Sequence, residues 1–299
     1  MDRLTQIRIF LRVAELGSFV RAAEQIGLPR SSVSQALQRL EAQLGVRLLH
    51  RTTRRVELTQ DGQHYYERSL VLLGEFDELE QLFRPEQQLR GVLRIDMPTG
   101  MARHLVIPAL PTFLERHPDL HLQLSSTDRR VDPVAEGFDA VIRVGPLEDS
   151  SLVARPLGWL PQINCASPDY LARHGVPSTL ADLTGHRLIQ FSARLAGRPA
   201  GFERAGGDPL PMAAALTVNS AEAYTAACLA GIGIIQAPEY GVRHWLASGE
   251  LKAILPTHLP PPLPFAVLYA ERRHMSRRLR AFLDWLHARV DEVGLSARP

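Results

Sequence analysis

The stretch that decides the fold is residues 18–58, SFVRAAEQIGLPRSSVSQALQRLEAQLGVRLLHRTTRRVEL. Its first part carries apolar residues at helical spacing: Phe19, Ala22, Ala23 and Ile26. Ser18 stands just before them and is suited to cap a helix, while Gly27 followed by Pro29 is suited to end it. The pattern predicts a short helix that another helix can approach closely.

A second helix is predicted from Ser31 onward, with one apolar and one polar side. The apolar stripe consists of Val33, Ala36, Leu37, Leu40 and Leu44. The polar side, which contains no acidic residue, consists of Arg30, Ser31, Ser32, Ser34, Gln35 and Gln38. Gln can bond adenine edges, Arg can bond guanine, and Ser can contact a base or a phosphate. We predict that this side enters a DNA major groove; an ordinary solvated surface is the alternative.

Arginines follow this helix between two short apolar runs. Residues 50–55 read HRTTRR, and residues 48–49 and 56–58 flank them. This order predicts a β-hairpin wing whose Arg51 and Arg54 lie on DNA phosphates, contacts that fix position but read little sequence. Standing alone, the segment would be interpreted as a solvated charged loop.

The positive charge is concentrated at the N-terminus, although the whole chain of 299 residues carries a net charge of only +2. Residues 1–58 hold ten arginines and five acidic residues, whereas residues 59–90 hold three arginines and seven acidic residues. Only the first module therefore has a surplus suited to a polyanion. The 45% hydrophobic content is enough for about two domains.

Cysteines, histidines and apolar runs argue against several other classes. Cys165 and Cys228 lie far apart, so we expect buried thiols in a reduced interior, with no disulfide framework, metal site or cofactor. His117 and His121 are too few for a metal site. The longest apolar run, residues 226–235, is too short to span a membrane, and no secretory signal is visible, so we expect a cytoplasmic protein.

Residues 59–83 contain few helix breakers and predict one long helix of roughly 36 Å. A seam repeats about every 3.5 residues along it: Tyr65, Ser69, Leu72, Phe76, Leu79 and Phe83. We expect this seam to meet a second copy of the chain, although packing on its own domain is the alternative. Pro85 ends the helix, and the polar residues 86–88 predict a hinge.

From residue 91 the pattern changes to short strands alternating with helices, which predicts an α/β architecture. The strand candidates are residues 92–97, 120–124, 140–144, 162–166, 188–191, 215–218, 232–235, 251–255 and 265–269. The clearest helix candidates are residues 105–116, 221–230 and 276–290, and a turn is predicted at residues 237–240.

The whole chain resembles the LysR-type transcriptional regulators. In the N-terminal part the resemblance rests on Phe10, Ser18, Phe19, Ala22, Ala23, Ser34, Leu40, Glu41, Leu44, Gly45, Leu48, Arg51, Leu58, Thr59 and Gly62. In the C-terminal part it rests on Arg129, Val131, Asp132, Ala135, Glu136, Gly137, Asp139, Arg143, Gly145, Leu152, Ala166, Ser167, Pro168, Tyr170, Leu171, Gly231, Gly233 and Pro238. The chain departs from the family at Arg30 and Ser31, where Gln or Pro is common.

The resemblance implies an α/β protein in three parts. These are a largely helical winged helix-turn-helix domain at residues 1–58, a linker and dimerisation helix with hinge at 59–90, and an effector-binding domain at 91–299. The last part is expected to resemble periplasmic binding proteins, with one lobe at about 91–161 and 266–299 and the other at about 162–265. The resemblance also implies that Arg30, Ser31, Ser34 and Gln35 face DNA, and that Arg51 and Arg54 belong to the wing.

Effector contacts are expected where strands end and helices begin. The candidates are Thr99, Gly100, Met101, Ser126, Thr127, Arg143, Asn219, Ser220 and Gln236. Free N–H groups at helix starts attract carboxylates, which predicts a small organic anion between the lobes. Simple N-capping by Thr99 and Ser220 is the alternative. Phe191 and Phe202 are candidate walls, with core filling as the alternative.

No catalytic residues are predicted, because the chain lacks the G-x-S-x-G, H-E-x-x-H and P-loop motifs. The expected partners are double-stranded promoter DNA, a small-molecule effector, and a second or further copies of the chain as a homodimer or homotetramer. RNA polymerase is a further candidate, and no membrane is expected. The alternatives are a solute-binding or degenerate enzyme domain fused to a DNA-binding module, or an effector-independent repressor.

Overall fold

The computed structural model describes residues 1–51, 56–81, 89–147, 152–193, 201–270 and 275–297. They divide into two compact units, Met1–Gly91 with Val134–Gly137, and Val92–Pro133 with Phe138–Pro299. Several predicted features lie outside the described residues: positions 52–55 of the wing including Arg54, Phe83 of the seam, and the hinge at 85–88. For Arg51, only the backbone is described.

The first unit is mainly helical. Its elements are α1 (Arg3–Leu16), α2 (Phe19–Ile26), α3 (Arg30–Leu44), β1 (Leu49–Arg51), β2 (Val56–Leu58) and α4 (Gln60–Gln81). Gly17, Gly27 and Gly45 end the first three helices in the left-handed conformation that glycine adopts without strain. The three helices share one core in which Phe10, Ala22 and Leu37 are fully buried.

The start of α4 packs tightly against the rest of the first unit. Tyr65 meets Phe10 edge to face, with ring centroids 5.5 Å apart. A Cβ at Gly62 would lie only 1.9 Å from the carbonyl oxygen of Leu48, so this position requires glycine. Farther along α4, Leu72 and Leu79 are 47% and 57% exposed. The predicted seam thus packs on its own domain near the start of α4, and its leucines farther along the helix are exposed.

The second unit begins with a lobe built on a sheet. Its described elements are β3 (Gly91–Met97), α5 (Thr99–Met101), α6 (Leu110–Arg116), β4 (Leu120–Ser126), β5 (Ala140–Val144) and β6 (Leu152–Leu160). A π-helical turn and a 3₁₀ turn, Ala102–Val106 and Ile107–Ala109, join α5 to α6. The described strands form the order β4-β3-β5-β12-β6, in which β12 (Leu263–Ala270) comes late in the chain.

The chain enters a second lobe directly after β6 and returns in β12. The elements of this second lobe are β7 (Gln162–Ala166), α7 (Pro168–His174), β8 (Leu188–Phe191), β9 (Ala214–Val218), α8 (Ala221–Leu229), β10 (Ile235–Pro238), α9 (Glu239–Ser248) and β11 (Lys252–Ala253). Strand β7 lies between β10 and β11, and β8 runs parallel to β9. Helix α10 (Arg277–Glu292) then packs Phe282, Leu283 and Leu286 into the core of the first lobe.

The predicted α/β fold class is confirmed, but some elements were missed or misplaced. Strand β6 was not predicted, because Pro156 and Gly158 interrupt its pattern. Helices α7 and α9 were also missed. The strand expected at 232–235 lies at Ile235–Pro238, and the turn expected at 237–240 is wrong because α9 starts at Glu239. Pro238 directly precedes α9, a position where proline is tolerated because it is not inside the helix.

Candidate functional site

The polar side of α3 is open to solvent. Arg30, Ser31, Gln35 and Gln38 are exposed, and Ser32 and Ser34 are half-exposed. On the opposite side Val33, Ala36, Leu37 and Leu40 are buried in the core of the first unit. Glu41, the only acidic residue of α3, is also buried. The exposed side is therefore rich in hydrogen-bonding groups and carries no carboxylate that would repel a phosphate backbone.

Ser18 has a structural task at the start of α2. Its Oγ accepts a hydrogen bond from the backbone N–H of Arg21 at 3.4 Å, as an N-cap does. The hydroxyl hydrogen is not used by this bond and can still be donated to a phosphate oxygen. Capping and DNA contact are thus compatible roles for the half-exposed Ser18.

Glu41 connects α3 to the wing, a role that the sequence alone did not indicate. Its Oε1 accepts hydrogen bonds from the backbone N–H groups of Leu48 and Leu49, at 2.9 and 3.2 Å. Leu49 in turn opens β1, which pairs with β2 so that Leu49 lies opposite Leu58 and Arg51 opposite Val56. The buried carboxylate therefore ties the start of β1 to α3.

A cavity of about 620 Å³ lies between the two lobes of the second unit. Four of the nine predicted contact residues line it: Gly100, Thr127, Arg143 and Gln236. Thr99, Met101, Ser126, Asn219 and Ser220 are not among the described lining residues. Met101 is fully buried in the core of the first lobe, which removes it from any ligand. Phe191 lines the cavity, whereas Phe202 is fully buried in the core of the second lobe.

Arg143 is held in place by a fully buried partner. Its Nη2 donates to Oδ2 of Asp96 at 2.6 Å, and its Nη1 donates to the carbonyl oxygen of Ile142 at 2.6 Å. Thr127 Oγ1 donates to the same carboxylate at 3.1 Å. A guanidinium has five N–H donors, so these two bonds leave donors of Arg143 for a ligand at the cavity wall.

Two of the glutamines that line the cavity, Gln190 and Gln236, differ in how fully they are bonded. The side-chain oxygen of Gln236 accepts from the backbone N–H of Glu203 at 2.7 Å, and its Nε2 donates to Asn164 Oδ1 and to the Glu203 carbonyl, each at 2.8 Å. Gln236 is thus committed to the second lobe. Gln190 is 7% exposed, and its Nε2 has no hydrogen-bond partner within the described part of the chain.

Gln190 therefore lines the cavity and carries an unused donor that is buried beside it. A buried donor without a partner costs free energy, so a ligand oxygen that accepts from it would gain affinity. The sequence placed Gln190 in a strand but gave no sign that its side chain faces a cavity.

Asp128 was also missed by the sequence analysis, although it lines the cavity. Its Oδ1 accepts from the backbone N–H of Thr99 at 3.0 Å, and its Oδ2 accepts from the backbone N–H of Ala221 at 2.7 Å. Thr99 and Ala221 are the first residues of α5 and α8. The two helix starts that were expected to attract a ligand carboxylate are already bonded to a carboxylate of the chain itself.

Burial keeps several ionisable groups around the cavity uncharged. It raises the pKa of Tyr224 above its ordinary value, and the phenol bonds the backbone of Gln236 as both donor and acceptor. Burial also raises the pKa of Tyr240, with a further contribution from the charge of Asp128. The hydrogen bond with Cys228, followed by burial, raises the pKa of Cys165 far above its ordinary value. Cys165 is therefore not a reactive thiolate at neutral pH.

Two family models match this chain. One, the bacterial regulatory helix-turn-helix protein of the lysR family, matches residues 4–63, and the other, the LysR substrate binding domain, matches residues 86–291. The chain belongs to the LysR family. It is a LysR-type DNA-binding transcriptional regulator with an effector-binding domain, as the resemblance in its sequence predicted.

Relatives of this LysR-family regulator match along nearly their whole length. An uncharacterized HTH-type transcriptional regulator of Escherichia coli (strain K12), YhjC, is 46% identical, over 96% of this chain and 97% of the relative. An HTH-type transcriptional repressor of Pseudomonas aeruginosa is 38% identical, over 96% and 92%. The solved structure of CrgA, a LysR-type transcriptional regulator from Neisseria meningitidis, is similar with a TM-score of 0.61 at 34% identity, covering 98% of this chain and 100% of CrgA.

Two kinds of feature are absent from the described residues of this LysR-family chain. Over the described residues, no group of three or more His, Cys, Asp or Glu side chains is arranged to hold a metal ion. No described helix is long and apolar enough to cross a membrane.

Proposed function

We propose that this regulator recognises operator DNA through the exposed side of α3. Base contacts are assigned to Arg30, Ser31, Ser32, Ser34, Gln35 and Gln38, and phosphate contacts to Ser18, Arg51 and Arg54. The observation that carries the proposal is the acid-free polar side of α3 opposite its buried stripe. As a dimer the protein would read two half-sites, spaced by roughly 34 Å or a multiple of it.

Binding to the regulator's own upstream DNA, measured in a salt series, tests these roles. We expect Gln35→Ala to cost roughly 1–3 kcal/mol at one base position, and Arg51→Ala to weaken binding to all sequences about equally. Gln123→Ala and Arg116→Ala, which change exposed residues of the second unit, are the matched controls. Equal losses on every sequence for Gln35→Ala and Arg51→Ala would contradict the division of roles.

We further propose that the cavity binds a small organic anion as effector. Its apolar walls, which include Phe191, Trp245 and Leu263, suit a hydrocarbon body, while Arg143 and Gln190 supply donors for a negatively charged oxygen. Binding would change the angle between the lobes, and thereby alter how the DNA-binding domains of the oligomer are placed on DNA. A cavity with apolar walls and donors for an anion favours an effector-responsive regulator over an effector-independent repressor.

A thermal-shift screen of aliphatic and aromatic carboxylates against the full chain tests the effector proposal. We expect a hit to raise the unfolding temperature of the wild type and to lose most of its effect in Gln190→Leu. The variant itself should fold, because it replaces an amide whose buried nitrogen has no partner with an apolar group of similar size. Stabilisation only by cationic or neutral ligands would overturn the choice of an anion.

The remaining parts of the proposal concern partners and place of action. We propose a homodimer or homotetramer joined through the exposed leucines of α4, RNA polymerase as a further partner at the promoter, and no catalytic activity. A regulator of chromosomal DNA acts in the cytoplasm. A solute-binding or degenerate enzyme domain fused to a DNA-binding module remains the second candidate, and turnover of a screened ligand would favour the enzyme.

A further inference from the structure

Asp128 joins the two lobes at the edge of the effector cavity. The carboxylate belongs to the first lobe and bonds one amide of that lobe, at Thr99, and one amide of the second lobe, at Ala221. Close to it, Arg103 of the first lobe pairs with Glu222 of the second at 2.6 Å. Asp128 and Glu222 both line the cavity, so the contact and the ligand space are continuous.

We propose that Asp128 is a built-in anion that fills the carboxylate position between the lobes and so determines which ligands the cavity accepts. A carboxylate that accepts two backbone N–H bonds is well matched to two helix starts, because hydrogen bonds to a charged acceptor are shorter and stronger than neutral ones. Each of its oxygens is used by one amide.

The consequence for the ligand follows from charge. A second carboxylate at this position would have to displace Asp128 from both amides, or lie against it, where like charges repel. The charged group of the effector therefore binds elsewhere in the cavity, at the remaining donors of Arg143 and at Gln190. This inference rests on the proposed effector function and narrows it to anions with one charged end.

A rescue experiment on the full chain tests whether Asp128 occupies an anion position. Asp128→Ala removes the carboxylate and leaves a space that formate, a carboxylate of the same size, can fill. We expect Asp128→Ala to lower the unfolding temperature by roughly 3–8 °C, since two amides lose their acceptor. Sodium formate should then raise the unfolding temperature of this variant in a saturable way, whereas sodium chloride at equal ionic strength should not.

Two control proteins make the result specific. The wild type and Asp208→Ala, which changes an exposed carboxylate of the second lobe, should show no saturable response to formate. Asp128→Asn should be destabilised and should not respond to formate, because its side-chain amide fills the same space. If Asp128→Ala fails to fold, refolding from urea with and without formate gives the same comparison: formate-dependent recovery supports the proposal, and equal recovery contradicts it.

The outcome is separable from the effector proposal. Formate that stabilises all the variants alike, or an Asp128→Ala protein as stable as the wild type, would overturn the role of Asp128. Loss of the carboxylate response in Gln190→Leu would still stand in that case, because Gln190 takes no part in the two hydrogen bonds of Asp128. Conversely, formate rescue without any carboxylate hit would leave Asp128 as a built-in anion and remove the proposed effector.

Discussion

At the scale of single residues, the contacts that matter most here are made by carboxylates that are buried or half-buried. The buried Glu41 holds two amides at the start of β1, the buried Asp96 orients Arg143, and the half-buried Asp128 holds two amides between the lobes. A buried carboxylate is costly unless it is well bonded, so Glu41 and Asp96 fix their surroundings strongly.

Gly62 offers a direct test of close packing at one residue. In Gly62→Ala the new methyl group would lie 1.9 Å from the Leu48 carbonyl, and backbone atoms cannot move aside as a flexible side chain can. We expect a loss of about 1–3 kcal/mol in the free energy of unfolding of the first unit, measured in urea.

Gly241→Ala is the matched control for this prediction. Gly241 lies inside α9 and has nothing within 4 Å of the position of a new Cβ. Alanine there should stabilise the helix by roughly 0.5–1 kcal/mol. Similar losses in both variants would show that the short distance at Gly62 does not control its stability.

The sequence predicted some site residues and missed others for a physical reason. The side of α3 that carries Arg30 and Gln35 was predicted because helical period alone decides which residues share a face. Asp128 and Gln190 were missed because their roles depend on which strands and lobes meet across the chain. Their side-chain types are also common on ordinary surfaces, so nothing local distinguishes them.

At the scale of elements, the long helix α4 combines two environments. In its first turns Tyr65 packs on Phe10 of α1, and Ser69 is buried. Farther along the helix, Leu72 and Leu79 are exposed. Exposed leucines on one face of a helix are typical of an oligomer contact, although single exposed leucines are common in monomers.

Leu79→Glu should therefore weaken self-association. A carboxylate placed in an apolar helix pair loses hydration without gaining a partner, so we expect the variant to shift toward monomer. Light scattering coupled to size-exclusion chromatography measures the change. Leu114→Glu, at a 37% exposed leucine of the second unit, is the control and should leave the mass of the wild type unchanged. An unaltered mass in Leu79→Glu would argue against an oligomer through this part of α4.

Element prediction succeeded where periodicity was regular and failed where breakers occur inside an element. The bounds expected for β5, β7 and β8 agree with the structure, because short uninterrupted apolar runs mark them. Strand β6 contains Gly158, where a Cβ would lie 2.1 Å from the Leu295 carbonyl. Glycine is needed there because the end of the chain packs on the strand, a contact that no local pattern announces.

At the scale of the whole molecule, the separation of tasks follows the separation of charge and burial. The arginine surplus lies in residues 1–58, which form most of the first unit, whereas the cavity lies in the second unit.

Several histidines of the second unit are partly buried, and burial lowers the pKa values of His104, His117, His186 and His287. Their protonation is thus linked to the stability of this unit.

The sign of that linkage gives a prediction for pH. A histidine whose folded pKa is lowered binds its proton more readily in the unfolded chain, so stability is full above the unfolded value of about 6.5 and falls as pH drops below it. His104 shows the effect at the lobe interface. Burial, the charge of Arg103 and nearby His244 lower its pKa, and Glu222 only partly opposes them.

We therefore expect the unfolding temperature of the wild type to fall between about pH 7.5 and pH 5.5, around the ordinary histidine pKa. The unfolding temperature of His104→Gln should fall less over this range, because the variant takes up one proton fewer when it unfolds. Gln123→Ala, which changes an exposed residue of the first lobe that does not titrate, should keep the wild-type pH dependence. A decrease in His104→Gln as large as that of the wild type would show that the lobe interface does not sense this protonation, because the remaining histidines would then account for the whole effect.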